Sequence, residues 1–247
     1  MPVKPLTITG IIAAGGSGQR LGVAGGKQLL EIAGRPVAAY ATDALAASAL
    51  IQDIVVVCDP DRLEEYVQLI TASVQTDKPL HFVAGGDTRE DSVYAGLLAA
   101  SGDVVAIHDG ARPLLEPADA DKVIGKLVDA NDEHLSGTVL GIPAVDTLKQ
   151  VKTAAICKHQ VTDTPDRSLY WHAQTPQVFW REELIVAYDS ARQEGWQQGT
   201  DDASYLEHQG AVIAMIKGSR NNIKITTPED VVFVEALLDS KGLQAAV

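Results

Sequence analysis

The sequence predicts an α/β protein built on a doubly wound, mostly parallel, Rossmann-like sheet, and three observations carry that prediction. Short Val- and Ile-rich runs recur, each bounded by Gly, Asp or Pro, as strands buried on both faces are. Between them lie stretches with apolar residues at helical spacing, such as Leu63, Val67 and Ile70. A glycine-rich segment follows the first apolar run, at the carboxyl end of a strand, where open α/β sheets bind ligands.

Taken in order, LTITGIIAA, DIVVVC, LHFVAG and DVVAIHD read as strands, with helices over 36–48, 61–74 and 87–100 in the intervals. Pro36 and Pro60 stand where a first-turn proline is tolerated, and Thr88 is expected to cap the third helix. After about residue 135 the rhythm changes. TVLGIP, DTLKQVK and AAICKHQVTDT read as strands with no helix between them, a hairpin-like extension. The α/β rhythm resumes with the helix WREELIVAYDSARQ, the segment 200–208, the strand AVIAMIK and a closing helix that starts near Pro228. A single domain over residues 1–247 with an extended β-arm at about 144–174 accounts for all of this. A lone hairpin is marginal in water, so the arm is expected to contact a second copy of the chain.

Composition narrows the function. With 247 residues and 46% hydrophobic content, the chain can bury one large core. A net charge of −13 with no Lys/Arg-rich run argues against nucleic acid as a partner. No apolar run reaches the roughly 18–20 residues of a membrane span. The start MPVKPLTITG lacks signal-peptide character, which predicts a cytoplasmic protein. Cys58 and Cys157 form no C-x-x-C pair, so neither a disulfide framework nor a cysteine zinc site is expected.

The stretch GGSGQRLGVAGGKQ then decides what kind of ligand is expected. Glycines let backbone N–H groups approach phosphate oxygens. A Walker A loop fails here, because Leu21 stands where its first glycine belongs and Gln28 follows the lysine. A dinucleotide fingerprint from Gly16 and Gly18 meets Leu21 at its third glycine position. What remains is A-G-G-x-G-x-R with a lysine seven residues later: Ala14, Gly15, Gly16, Gly18, Arg20 and Lys27.

That pattern resembles the signature loop of nucleotidyltransferases. Downstream, KQLL, GGDTREDSVYAGL, HDGARP, DTLK, DRSLYWHAQTPQVF, TDDASYLEHQG and NIKITTPEDV keep the order and spacing of one branch. Over nearly its whole length the chain is similar to the 2-C-methyl-D-erythritol 4-phosphate cytidylyltransferases of isoprenoid-precursor synthesis. The resemblance implies a nucleotide-diphospho-sugar transferase type of fold, a homodimer, and the reaction of CTP with 2-C-methyl-D-erythritol 4-phosphate to give the CDP-linked product and pyrophosphate. It implies Arg20 and Lys27 as catalytic cations, and Mg²⁺ approached by Asp109. For the nucleotide it implies Ala13, Ala14, Gly15, Gly16, Gly86, Asp87, Ser92, Asp109, Ala111 and Arg112. For the acceptor it implies Arg167, Lys224, Thr200, Thr147 and Thr175. On the bland reading, Asp87 and Thr88 form a helix cap and Arg112 braces its loop through a salt bridge.

Ile12, Gly26 and Val145 depart from the common family pattern, in which prolines often stand at the first two positions and a basic residue at the third. The nearest alternative is the sister ribitol 5-phosphate cytidylyltransferases. A noncatalytic nucleotide-binding protein on the same scaffold is the alternative of another class. His108, at a strand end, is expected to be hydrogen-bonded structure and no zinc site is expected.

Overall fold

The computed structural model describes residues 5–15, 28–129, 134–154, 157–240 and 242. Its centre is a seven-stranded sheet in the order β11-β7-β10-β6-β1-β4-β5. These strands are β1 (Ile8–Ala13), β4 (Asp53–Cys58), β5 (Leu80–Ala84), β6 (Val104–Asp109), β7 (Leu135–Pro143), β10 (Trp171–Trp180) and β11 (Val212–Lys217). All run parallel except β10, which pairs antiparallel with both β6 and β7. A two-residue ribbon, β2 (Glu31–Ile32) with β3 (Arg35–Pro36), precedes the first helix.

Alternation along the strands shows why the apolar runs are continuous. Ile12, Ile54, Val56, Val104 and Ala106 face one side, where α1 (Val37–Ala46), α2 (Leu63–Ser73) and α4 (Pro117–Val128) contribute Leu45, Ile70 and Val123. Ile11, Val55, Val57, Val105 and Ile107 face the other, against α3 (Arg89–Ala99), α5 (Arg181–Glu194) and α6 (Ala203–His208). The closing helix α7 (Pro228–Ser240) packs Val234 and Leu238 against Val37, Leu114 and Ile225. Helix α3 lies tight on the sheet at Gly96, where an added Cβ would come 2.8 Å from Ile11 Cγ2 and 2.9 Å from Val57 Cγ2.

Thr88 caps α3 as anticipated, its hydroxyl accepting from Asp91 N at 3.0 Å. The second helix differs from expectation at its start. Asp59 accepts from Asp61 N and tightens Pro60–Arg62 into a 3-10 turn, so α2 begins at Leu63. The sequence expectation contains neither the β2–β3 ribbon nor the longer elements α4 and β10. Helix α4 buries Ala120, Val123, Ile124 and Leu127, one apolar stripe.

Between β7 and β10 the chain forms the hairpin of β8 (Gln150–Lys152) and β9 (Gln160–Asp163), whose residues are all exposed. DTLKQVK pairs only at its last three residues, since the hairpin has no sheet beneath it to extend the ladder. Among the described residues, no helix is long and apolar enough to cross a membrane.

Candidate active site

The parallel strands β1, β4, β5 and β6 end along one edge, with Ala13 level with Val57 on one side and Asp109 on the other. Strand order reverses between β1 and β6, so the crevice that open α/β sheets use for ligands lies here. Ala14 is fixed from two directions: its N–H donates to Val57 O at 2.8 Å and its carbonyl accepts from the buried Tyr66 hydroxyl at 2.9 Å. Gly15 follows in close quarters, an added Cβ meeting Cys58 O and Ser92 Oγ at 3.3 Å each. Gly86 N donates to Ser92 Oγ at 3.2 Å.

Ala13, Ala14, Gly15, Gly86 and Ser92 therefore converge, with backbone rather than bulk facing the crevice. Asp87 lies just outside the cap, exposed. Gly16, Arg20 and Lys27 lie outside the described residues. Cys58 ends β4 beneath this edge, and burial, helped by the charge of Asp59, pushes its thiol up to about 12, which leaves it an inert packed group.

The electrostatic centre is Asp109. Its Oδ2 meets Lys224 Nζ at 2.8 Å and Arg112 Nε at 3.3 Å, while Oδ1 lies 3.5 Å from Arg89 Nε. Burial pushes the Asp109 carboxyl up, but the charges of Arg89, Lys224 and Arg112 outweigh it and hold the group well below the usual carboxylate range. Arg89 in turn forks onto Asp202, Nη1 to Oδ1 and Nη2 to Oδ2 at 2.9 Å each. Arg112 also donates from Nη1 to Asn222 O at 2.8 Å. In an acidic chain, this gathers three cations at one strand end.

A hydrogen-bond chain sets the aim of Asp109. His108 is fully buried, with Nδ1 2.9 Å from Thr175 Oγ1 and Nε2 3.0 Å from Arg112 O. Arg112 O can only accept, so Nε2 carries the proton and Nδ1 accepts from the Thr175 hydroxyl. Thr175 Oγ1 accepts in turn from Asp109 N at 3.0 Å. Thr175, expected to line the acceptor site, thus acts on Asp109 through the backbone. Asn222 closes the arrangement by donating to Thr175 O at 2.8 Å, and Ile225 N donates to Ala111 O at 2.9 Å. Lys224 sits between these two anchors, which is why a flexible side chain is delivered to Asp109. Ala111 is buried and serves as an anchor point.

Burial lowers the His108 pKa to about 4, against smaller opposing contributions from its hydrogen bonds and Asp109. The unfolded chain, with an ordinary histidine near 6.5, then binds more protons than the folded one between about pH 4 and 6.5, so stability rises with pH across that window. Lowering the pH from 7 to 4.5 is expected to cost up to about 3 kcal/mol through this group. The depressed pKa of Asp109 places its own contribution at lower pH. Urea midpoints at pH 7 and 4.5 check this: His108→Gln, which keeps one donor and one acceptor, should flatten the fall.

Of the other acceptor-side residues, Thr200 is exposed just ahead of α6, with its N–H on Ser204 Oγ at 3.2 Å. Arg167 and Thr147 lie with the arm. Arg167 is exposed and donates to Val145 O, and Thr147 is exposed after β7. Within one chain β10 begins at Trp171, four residues or roughly 13 Å at strand rise before Thr175, and both residues lie on the connection ahead of it. Sequence reasoning assigned no role to Arg89, Asp202 or Asn222. Each stands inside a matching stretch, GGDTREDSVYAGL, TDDASYLEHQG or NIKITTPEDV, within two residues of Thr88, Thr200 or Lys224.

Among the described residues, no group of three or more His, Cys, Asp or Glu is placed to hold a metal ion. A metal here would rest on Asp109 and on oxygens supplied by a ligand, the way Mg²⁺ binds with phosphates.

Comparison with known proteins gives the same reading of the fold. The family model described as IspD: 2-C-methyl-D-erythritol 4-phosphate cytidylyltransferase matches residues 8–240. A curated 2-C-methyl-D-erythritol 4-phosphate cytidylyltransferase from Syntrophotalea carbinolica is 40% identical over 235 residues, 94% of this chain and 96% of the relative. One from Synechocystis is 36% identical over 238 residues, 96% and 99% of the two chains. Among solved structures, the 4-diphosphocytidyl-2C-methyl-D-erythritol synthase of Anaerococcus prevotii superposes with a TM-score of 0.77 at 27% identity, covering 95% of this chain and 96% of its own. The chain belongs to the 2-C-methyl-D-erythritol 4-phosphate cytidylyltransferase family.

Proposed function

We propose that the chain transfers CMP from CTP to 2-C-methyl-D-erythritol 4-phosphate, giving 4-diphosphocytidyl-2-C-methyl-D-erythritol and pyrophosphate by in-line attack on the α-phosphorus. Family membership makes it a CTP-dependent nucleotidyltransferase. The single observation that supports the site assignment is the meeting of a backbone-lined crevice at Gly15, Gly86 and Ser92 with the Lys224–Asp109–Arg112 group at the same strand ends. A phosphate monoester has a second pKa of about 6 and is already largely a dianion at neutral pH, so the nucleophile needs little general-base help. The protein's task is to bring two anions together and neutralise the charge growing at the α-phosphate.

The roles follow. Gly15, Gly86 and the Ala13–Ala14 backbone seat the nucleotide, and Arg20 and Lys27 serve the triphosphate. Lys224, with its head group one-third exposed, exchanges its Asp109 partner for the incoming acceptor phosphate. Mg²⁺ fits one carboxylate, Asp109, together with triphosphate oxygens, and would supply charge neutralisation there. Arg167 and Thr147 come to the acceptor from the arm of a second copy. The exposed cross-strand pair Val151 and Val161, and Leu169 at 79% exposure later in the same connection, support a homodimer through that arm. The chain works as one domain, in the cytoplasm.

The test is pyrophosphate release from CTP with Mg²⁺. Release is expected with 2-C-methyl-D-erythritol 4-phosphate, and not with ribitol 5-phosphate or when ATP or UTP replaces CTP. Robust release with ribitol 5-phosphate and none with methylerythritol phosphate would overturn the acceptor assignment.

A further inference from the structure

Asp202 is fully buried, its carboxyl group set between α5, α6 and the nucleotide-side segment. Its Oδ1 accepts from Arg89 Nη1 at 2.9 Å and from the Tyr188 hydroxyl at 2.8 Å, and its Oδ2 accepts from Arg89 Nη2. Its backbone is held too: Gln177 Oε1 accepts from the N–H groups of Asp202 and Ala203, while Gln177 Nε2 donates to Asp201 Oδ2 at 2.7 Å. As a contribution to stability such a pair is poor, because well-packed apolar residues usually do as well in its place. Its reach is more informative. Arg89 opens α3 three residues after Gly86 and three before Ser92, and Asp202 stands two residues after Thr200. The same guanidinium presents Nε to Asp109 Oδ1 at 3.5 Å, longer than a hydrogen bond.

We infer that Arg89 and Asp202 form a positioning clamp. It fixes the acceptor-side segment 200–204 against the nucleotide-side segment 86–92 and, by engaging both Nη groups, keeps the arginine fork from closing on Asp109. Neither residue is a catalytic group on this assignment. The inference rests on the proposed reaction for its kinetic consequences, but not for its structural one. The nucleotide side has its own fastenings, the Thr88–Asp91 cap and the Ser92–Gly86 bonds, so loosening the clamp is felt at the acceptor.

Three variants of the full chain test this: Asp202→Asn, Arg89→Lys and Tyr188→Phe. Wild-type turnover with methylerythritol phosphate is measured first and judges the reaction alone. Amide hydrogen exchange, which needs no substrate, judges the clamp: exchange at 200–204 should quicken about tenfold or more in Asp202→Asn, with that at 90–92 unchanged. In kinetics, Asp202→Asn should lower kcat/KM for the acceptor about 100-fold, the usual effect of a small misplacement. CTP affinity by calorimetry should stay within about threefold. Arg89→Lys keeps the charge but not the fork, so it should hold the wild-type melting temperature while raising acceptor KM. A purely structural pair would hold both at wild type, and that result overturns the inference. So does an acceptor KM within about threefold of wild type in a folded Asp202→Asn. Should Asp202→Asn fail to fold, Tyr188→Phe removes one hydrogen bond from Oδ1, and an unchanged acceptor KM and exchange rate there overturn the inference equally.

Discussion

Asp109→Asn is expected to lower kcat/KM about 10²–10³-fold, the range seen when a preorganised electrostatic group is removed from a reaction centre. The substitution preserves shape and removes one negative charge from the midst of Arg89, Arg112 and Lys224. Two effects combine. Lys224 loses the partner that holds it at the strand end, and the cations, no longer balanced, repel one another. Breaking a fully buried ion pair costs about 3–5 kcal/mol. Here the Lys224 and Arg89 side chains are 34% and 37% exposed and Arg89 keeps Asp202, so a loss of about 1–2 kcal/mol in unfolding free energy is expected. On the proposed metal role of Asp109, the Mg²⁺ concentration for half-maximal activity should rise. Magnesium titration with pyrophosphate release, beside urea unfolding, separates the two effects. Near-wild-type kcat/KM at saturating Mg²⁺ would remove Asp109 from the site.

The strands at this edge were legible in the sequence because β1, β4 and β6 are covered on both faces, so local composition alone marks them. Strand β10 was not. Its centre, Gln174 to Gln177, is polar in sequence and buried in the fold, and its side chains find partners at Ser219, His108 and Asp201. A polar run that satisfies itself over such distances carries no local sign of being a strand. The site divides along the same line. Asp109 and Lys224 are charged residues in short recognisable stretches, whereas the Arg89–Asp202 pair spans 113 residues and exists only once α3 and α6 have docked. Arg112 shows a partner that no motif names: its guanidinium reaches Asn222 O, 110 residues away, as well as Asp109.

Lys27→Ala is expected to lower kcat by about 10³-fold or more while leaving the melting temperature within a few degrees of wild type. The argument begins from charge already committed elsewhere. At the end of β6, Arg112 is bound to Asp109 and Asn222, and Arg89 to Asp202, so these guanidinium groups are not free to meet a triphosphate. Lys224 exchanges partners, but toward the acceptor phosphate on the proposed reading. The chain carries 33 acidic residues against 20 basic ones, so no general positive field compensates. On the proposed reading the sequence after Gly15 supplies Arg20 and Lys27, and a lysine is a mobile point charge that follows an oxygen as its charge grows. A residue whose attraction is strongest in the transition state lowers kcat more than it weakens substrate binding. Lys27→Arg separates charge from geometry: it should restore CTP affinity and only part of kcat. Pyrophosphate release at saturating CTP and acceptor, with CTP affinity measured by calorimetry, gives both quantities. Turnover within about tenfold of wild type in Lys27→Ala would place the transition-state charge on other groups, with Arg20 the remaining proposed cation of that stretch.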